Sequence, residues 1–382
     1  MKYLTFDVET TTLNKGNPYS VSNKMCYIGC RTSEGVYKDF KIEYDSDPYG
    51  QQLKQFQELI DEHECLVGFN IKFDLHWILR YGLSISDKRI YDTQVSEFIL
   101  SNQSASYPSL DATAVAYGLE GKIDLVKTDY WDKGIDTTGV PEDLLRDYLK
   151  RDVEQTWEVF LKQQDKLEPY KTIISLANQD LLALLEIEKN GMVYDTERSI
   201  SEGDEIQKQL SEIDSKLVEL TGYSDFNPGS GEHISAVLYG GTLSVPCRVA
   251  TSRTLKDGTI KIGEKWGEKD LEFPRLVEPL PKSELKKDGF FATNEETLKQ
   301  LKATGKAKQL VKLIQERAKL EKLRGTYLHG IPKLINTMEW SDSTIHGTLN
   351  QCVAVTGRLS STKPNLQNFD GNMGYLFRSR YE

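Results

Sequence analysis

Residues 1–11 read "MKYLTFDVETT", and the reading of this stretch decides the fold. "KYLTFDVET" is a strand pattern, and an acidic residue already at position 7 argues against a signal peptide. Asp7 and Glu9 stand at i and i+2, so an extended chain turns both carboxylates to one face. Working outward, "MCYIGCRT" (25–32) and "VYKDFKIEY" (36–44) are further strands, and "LKQFQELIDEH" (53–63) has amphipathic helical spacing. "CLVGFN" (65–70) is a buried strand and "KFDLHWILRYG" (72–82) a helix that Gly82 stops. Strands alternating with helices up to about residue 165 predict an α/β domain.

Beyond that point long helical patterns take over. They cover 170–192, 195–222, a short helix after the turn at 225–230, and 294–338, with an irregular, β-rich excursion at 242–292. A chain of 382 residues accommodates two or three domains. No apolar run approaches the ~20 residues of a membrane span. The five cysteines are odd in number and form no C-x-x-C pair, which implies reduced thiols in a cytoplasmic compartment. Cys26 and Cys30 lack the second pair a zinc site needs. His63 reads as a surface histidine and His76 as a helix-face one, neither as a ligand.

The net charge of −10 argues against a polyanionic partner, but its distribution does not. From Lys299 to Lys333 ten basic residues stand against Glu316 and Glu321, a local charge of +8. Such a run is either a footprint for nucleic acid or a solvated helix face.

Two further acidic positions accompany the first pair. Asp74 falls in the first turn of a helix after a buried strand, where a capping role is equally open. In "DYLKRDVEQTWEVF" (147–160), Tyr148 and Asp152 are i and i+4 on one helix face, about 6 Å apart. The order D-x-E, N-x-x-x-D, Y-x-x-x-D resembles the DEDDy branch of the DnaQ-like 3′–5′ exonucleases. The flanks agree: "FDVETT" (6–11), Gly68, Asn70 and Lys72 around Asp74, and Asp92–Thr93 in "YDTQVSEFILSN" (91–102). The resemblance implies an RNase H-like α/β fold with a mixed sheet and flanking helices. It also implies two divalent cations, Mg²⁺ or Mn²⁺, held by Asp7, Glu9, Asp74 and Asp152, with Asp7 bridging and Tyr148 orienting the attacking water. Carboxylate oxygens suit such hard cations, and a pair of them about 4 Å apart activates water and clamps the leaving oxygen. Asn70 and Phe73 would meet the terminal nucleotide.

Near the C-terminus, "AVTGRLSSTKPNLQNF" (354–369) is similar to the first motif of the family A DNA polymerases over thirteen consecutive positions, 356–368. "LLALLEIEKNGMVYD" (181–195) and "LEKLRGTYLHGIPKLIN" (320–336) are similar to that family's thumb segments. The likeness implies an exonuclease domain at 1–165, a helical thumb at 166–345 with 240–292 as an insertion, and the start of a palm at 346–382. It implies DNA contacts from Lys312, Arg317, Lys319 and Arg324 in the thumb and from Thr356, Arg358, Asn365, Gln367 and Asn368 in the palm motif. Phosphate contacts of this kind position a duplex without reading it.

The sequence holds no D-Y-S-Q segment, no R-x-x-x-K-x-x-x-Y-G helix and no H-D pair, so the palm carboxylates of synthesis are not among these residues. The expectation is the N-terminal part of a split polymerase. A second polypeptide then supplies palm and fingers, a processivity partner docks on 240–292, and, by family analogy, a phage gene is expressed in the host cytoplasm. The rival readings are a free-standing trimming exonuclease on DNA or RNA, and a non-catalytic DNA-binding subunit.

Overall fold

In the computed structural model the first strand forms as read, and the sheet grows from it. The structure describes residues 1–42, 50–104, 106–121, 125–254, 260–285, 287, 289–369 and 371–379. Glu43 and Tyr44 of the expected third strand, and residues 380–382 of the palm lead-in, lie outside the described residues. β1 (Tyr3–Thr10) pairs antiparallel with β2 (Met25–Thr32), and β2 with β3 (Tyr37–Lys41). After α1 (Gln51–Glu62), β4 (Cys65–Gly68) joins β1 in parallel. After α2 (Lys72–Arg80), β5 (Arg89–Asp92) joins β4 in parallel. The result is a mixed sheet in the order β3-β2-β1-β4-β5.

α3 (Thr93–Leu100), α4 (Leu110–Ala116) and α5 (Leu125–Asp129) lead to α6 (Glu142–Gln164), which lies across β1, β2 and β4. The period-two pattern sends Leu4, Phe6 and Val8 into one core with α1 and α2, and Asp7 and Glu9 to the other face. That face is covered by α6, whose Leu145, Leu149 and Val153 pack on Cys26 and Tyr27.

α7 (Lys171–Asn190) belongs with this first unit. Leu181 and Leu185 join the core of Leu4, Phe6 and Leu75, whereas the family resemblance assigns this helix to the thumb region. β6 (Met192–Tyr194) follows it. Cys26 and Cys30 share β2 but not a face. The register skips Cys26 at a bulge between Glu9 and Thr10, and the two thiols enter different cores. All five cysteines are free. His63 is not on the surface as expected: it is 4% exposed, with Nδ1 2.7 Å from the Leu59 carbonyl.

Glu197–Ile331 form a second unit. α8 (Thr196–Thr221) and α9 (Gly231–Tyr239) precede a hairpin of two 14-residue strands, β7 (Gly241–Thr254) and β8 (Ile260–Phe273). The β-rich reading of the excursion thus holds in its first half, which is an extended ribbon. α10 (Glu295–Gln300) and α11 (Gly305–Lys322) run through a π-helical turn at Leu323–Leu328 into α12 (Gly330–Met338). Leu217, Leu238, Leu298, Leu310 and Ile314 form this unit's core.

The chain then returns to the first unit. β9 (Thr344–Ile345) and β12 (Phe377–Arg378) flank β6 in a three-stranded sheet, and β10 (Thr348–Asn350) pairs with β11 (Ser360–Thr362). Among the described residues no helix is long and apolar enough to cross a membrane.

Candidate metal centre and nucleic-acid surfaces

Three elements bring the carboxylates together. Asp7 and Glu9 leave the α6 face of β1, and Asp152 descends from α6, so that one oxygen from each lies within 4.8 Å of the others. Glu9 and Asp152 are buried. Gly29 makes this approach possible. It stands opposite Asp7 on β2, and a Cβ there would lie 2.6 Å from Cγ of Leu149, one turn before Asp152.

Asp74 reaches the site from the other side of β1. β4 pairs with β1 only at Tyr3–Thr5 and ends at Gly68, which leaves the Val8 N–H without a ladder partner on that edge. That N–H donates to Oδ1 of Asp74 at 3.0 Å. Burial first, and then the charge of Asp7, hold the Asp74 carboxyl well above the ordinary range. In this arrangement the structure gathers Asp7, Glu9 and Asp152, with Asp74 beside them on a backbone hydrogen bond. Tyr148 sits one turn before Asp152, half-buried, its ring edge-on to Trp131 at 5.4 Å.

The donor set fits a hard divalent cation: it is all oxygen, and like charges at this distance cannot all stay ionised without a counter-charge. No sulfur or imidazole ligand belongs to the group.

Asp92, read as part of a family motif, has a scaffolding role. It accepts from the N–H groups of Gln94 and Val95 at the start of α3, and of Asn70 and Ile71 before α2. Burial pushes its carboxyl up to about 6, against the pull of those four donors. This fixes the 69–71 turn, where Asn70 has φ of 56°, and so aims α2. Asn70 and the half-buried Phe73 line a cleft of about 430 Å³ together with Tyr19, His76, Glu188 and Lys363.

Sequence reasoning missed the network that closes this cleft. Glu188, at the end of α7, accepts from Lys72 Nζ at 2.5 Å, from the Leu349 N–H at 2.6 Å and from His76 Nε2 at 2.7 Å. Lys72 also donates to the Leu349 carbonyl. A carboxylate only accepts, so Nε2 carries the proton and Nδ1 accepts from the Tyr19 hydroxyl at 2.5 Å. Burial opposes the charge of Glu188, but His76 and Lys72 together hold its carboxyl below the usual range. Burial keeps His76 neutral by lowering its pKa. Three buried polar residues at i, i+4 and more than a hundred positions on leave no short-range signature.

The expected DNA contacts divide into exposed and engaged residues. Lys312, Lys319, Thr356 and Arg358 are exposed. Arg317 instead forms a two-pronged ion pair with Asp214 (2.5 and 3.3 Å) inside the second unit. Arg324 lies 3.5 Å from Glu321 and is half-buried. Within the 356–368 stretch, Asn365 accepts from the Gln367 N–H, Gln367 Nε2 donates to the Leu359 carbonyl, and the Asn368 N–H donates to the Asn365 carbonyl. Ser361 bridges Pro364 and Leu366 in the same loop. The loop therefore spends much of its polar inventory on its own shape, leaving the Arg358 side chain outward.

The fold and site define a class first: a mixed-sheet α/β domain with a carboxylate centre suited to divalent cations, in one chain with a helical unit carrying a basic helix. Residues 1–190 match the family described as 3′-5′ exonuclease, and residues 268–380 match DNA polymerase family A. DNA polymerase I of Pseudomonas aeruginosa is 23% identical over 96% of this chain and 36% of its own length. That of Borreliella burgdorferi is 24% identical over 96% and 35%. A solved structure, the POL domain of Pol1 from M. smegmatis in complex with DNA primer-template and dNTP, superposes with a TM-score of 0.65 at 17% identity, covering 99% of this chain and 54% of that one. The chain belongs to the family A DNA polymerases and includes their 3′–5′ exonuclease domain. It spans about a third of the length of these curated relatives.

Proposed function

We propose that this chain is a proofreading enzyme: a metal-dependent 3′–5′ exonuclease that removes the terminal nucleotide of a DNA strand in the setting of a family A polymerase. The observation that carries this is the convergence of Asp7, Glu9 and Asp152 within 4.8 Å, inside the stretch that matches the exonuclease family. Two divalent cations, Mg²⁺ in the first instance, would supply a hydroxide at neutral pH and neutralise the leaving oxygen. Asp7, Glu9, Asp74 and Asp152 would hold them, and their positive charge would favour the ionised form of the Asp74 carboxyl. Tyr148 orients the attacking water by its hydroxyl. Asn70 and Phe73 seat the terminal nucleotide in the cleft before α2. Lys312 and Lys319 meet duplex phosphates, while Thr356 and Arg358, with what Asn365, Gln367 and Asn368 leave unspent, meet the primer–template. Synthesis in this reading needs palm and fingers segments carried by a second chain or by a longer form of this one.

The test is a 5′-labelled primer with a mismatched 3′ end, incubated with the purified chain and Mg²⁺, beside an Asp7→Ala/Glu9→Ala variant. Stepwise shortening from the 3′ end that EDTA and the double variant both abolish is the expected result. Binding of the DNA without shortening would overturn it in favour of a silent binding subunit.

A further inference from the structure

We propose that the β7–β8 hairpin is a docking surface for the phosphate backbone of duplex DNA, formed by the lysine face of β8. This rests on the reading of the chain as a DNA-binding protein and adds a surface most of which the family matches leave unassigned: Lys261 and Lys265 fall in residues 191–267, outside both matched stretches, and Lys269 lies at the very start of the second.

Strand β8 sorts its charges by face. Lys261, Gly263, Lys265, Gly267 and Lys269 alternate with Ile260, Ile262, Glu264, Trp266, Glu268, Asp270 and Glu272. Alternate residues of a strand point to opposite faces, so the cations share one face and the acids the other. The antiparallel register places Val245, Cys247, Val249 and Thr251 opposite Lys269, Gly267, Lys265 and Gly263. None of these is acidic. The three lysines are exposed, and among the described residues no ion pair holds them, whereas Lys287 and Lys299 are paired with Glu232 and Glu295.

Geometry favours a duplex. Four residues of strand span about 14 Å, so the three ammonium groups lie along a line of about 27 Å, most of one turn of B-form DNA. Gly263 adds no side chain between two of them. The opposite face turns away from a polyanion: it carries four carboxylates, an exposed Trp266 and the Arg248 guanidinium stacked on that ring at 4.6 Å. The base of the ribbon is anchored, with Leu243 and Val245 packed on Ala236 and Phe290. The row of lysines therefore projects from a fixed root.

The experiment measures binding of the full chain to a fluorescein-labelled primer–template in Ca²⁺, across a NaCl series, for wild type, K261Q/K265Q/K269Q, K312Q/K319Q and W266A. Each phosphate neutralised contributes about −0.9 to the slope of log K against log salt. The hairpin variant is expected to lose about 2 to 3 from that slope, so a fourfold rise in salt weakens it roughly 40-fold less than wild type. Circular dichroism establishes that it folds, and W266A is expected to bind as wild type does. A slope equal to wild type, with the Lys312/Lys319 variant still weakened, overturns the hairpin surface and leaves the DNA reading standing. Weakening by W266A instead makes the apolar face the docking side and overturns it as well. Absence of salt-dependent binding by the wild-type chain overturns both readings.

Discussion

Gly29 and Asp152 show how single residues set the site. The D-x-E pair was legible because its spacing alone puts two carboxylates on a strand face. Gly29 was not, because its requirement comes from Leu149, a residue far along the chain on α6. Gly29→Ala is expected to lift α6 off β1, destabilising the fold by about 1–3 kcal/mol and lowering exonuclease kcat more than DNA affinity. Denaturant titration beside single-turnover cleavage separates the two effects. Asp152→Asn acts in the opposite sense on stability, since it removes one of three crowded negative charges. In EDTA its melting temperature should rise, while in Mg²⁺ its cleavage rate falls about a thousandfold through lost charge stabilisation. A variant equally active and equally stable would separate Asp152 from the metal centre. Asp92 offers a pH test. Its folded pKa of about 6 exceeds the unfolded value of 3.8, so the folded chain retains a proton that the unfolded chain releases between these values. Its contribution is whole below about pH 4 and lost as pH rises through 6, on the order of 3 kcal/mol. Asp92→Asn should lack that component, so the stability difference from wild type shifts in its favour on going from pH 4 to pH 7, as read by urea midpoints.

At the scale of elements, periodicity revealed the helices but not their partners. α7 and α8 have the same helical spacing, and only the apolar side chains of Leu181 and Leu185 in the first core show that α7 belongs with the sheet. Composition changes near residue 165, the packing boundary near 196. The Glu188 network is the physical reason for the difference. It ties α2, which carries Asp74, to the end of α7 and to β10, just ahead of the polymerase motif. Removing one member of a buried charged pair leaves the other unpaired, which is more damaging than never having had the pair. Glu188→Gln is therefore expected to destabilise the fold by about 3–5 kcal/mol through Lys72. It should also loosen α2, seen as faster amide exchange in Leu75–Ile78. The double change Lys72→Met/Glu188→Leu, which removes both charges, should recover most of the stability. If it does not, the hydrogen bonds to Leu349 and His76 outweigh the ion pair.

Over the whole molecule, net charge misleads because its arrangement carries the information. A chain at −10 still exposes Lys312 and Lys319 on α11, and the run of ten cations was legible from sequence alone, though not whether it faces a polyanion or solvent. Which of those cations are available was not legible, because pairing depends on α8. Arg317 is 19% exposed at its side chain and bound through Nε and Nη2 to Asp214. A guanidinium held in that fork has few donors left for phosphate. The two kinds of basic residue should thus respond differently to the same loss of charge. Lys312→Gln/Lys319→Gln is expected to lower the salt slope of duplex binding by about 2 and leave the denaturation midpoint within experimental error. Arg317→Gln should do the reverse, lowering stability by about 1–3 kcal/mol while leaving the slope close to wild type. A slope loss of about 0.9 in Arg317→Gln, half that of the double lysine variant, would mean that Asp214 releases Arg317 when DNA arrives, and that the ion pair is a resting state of α11.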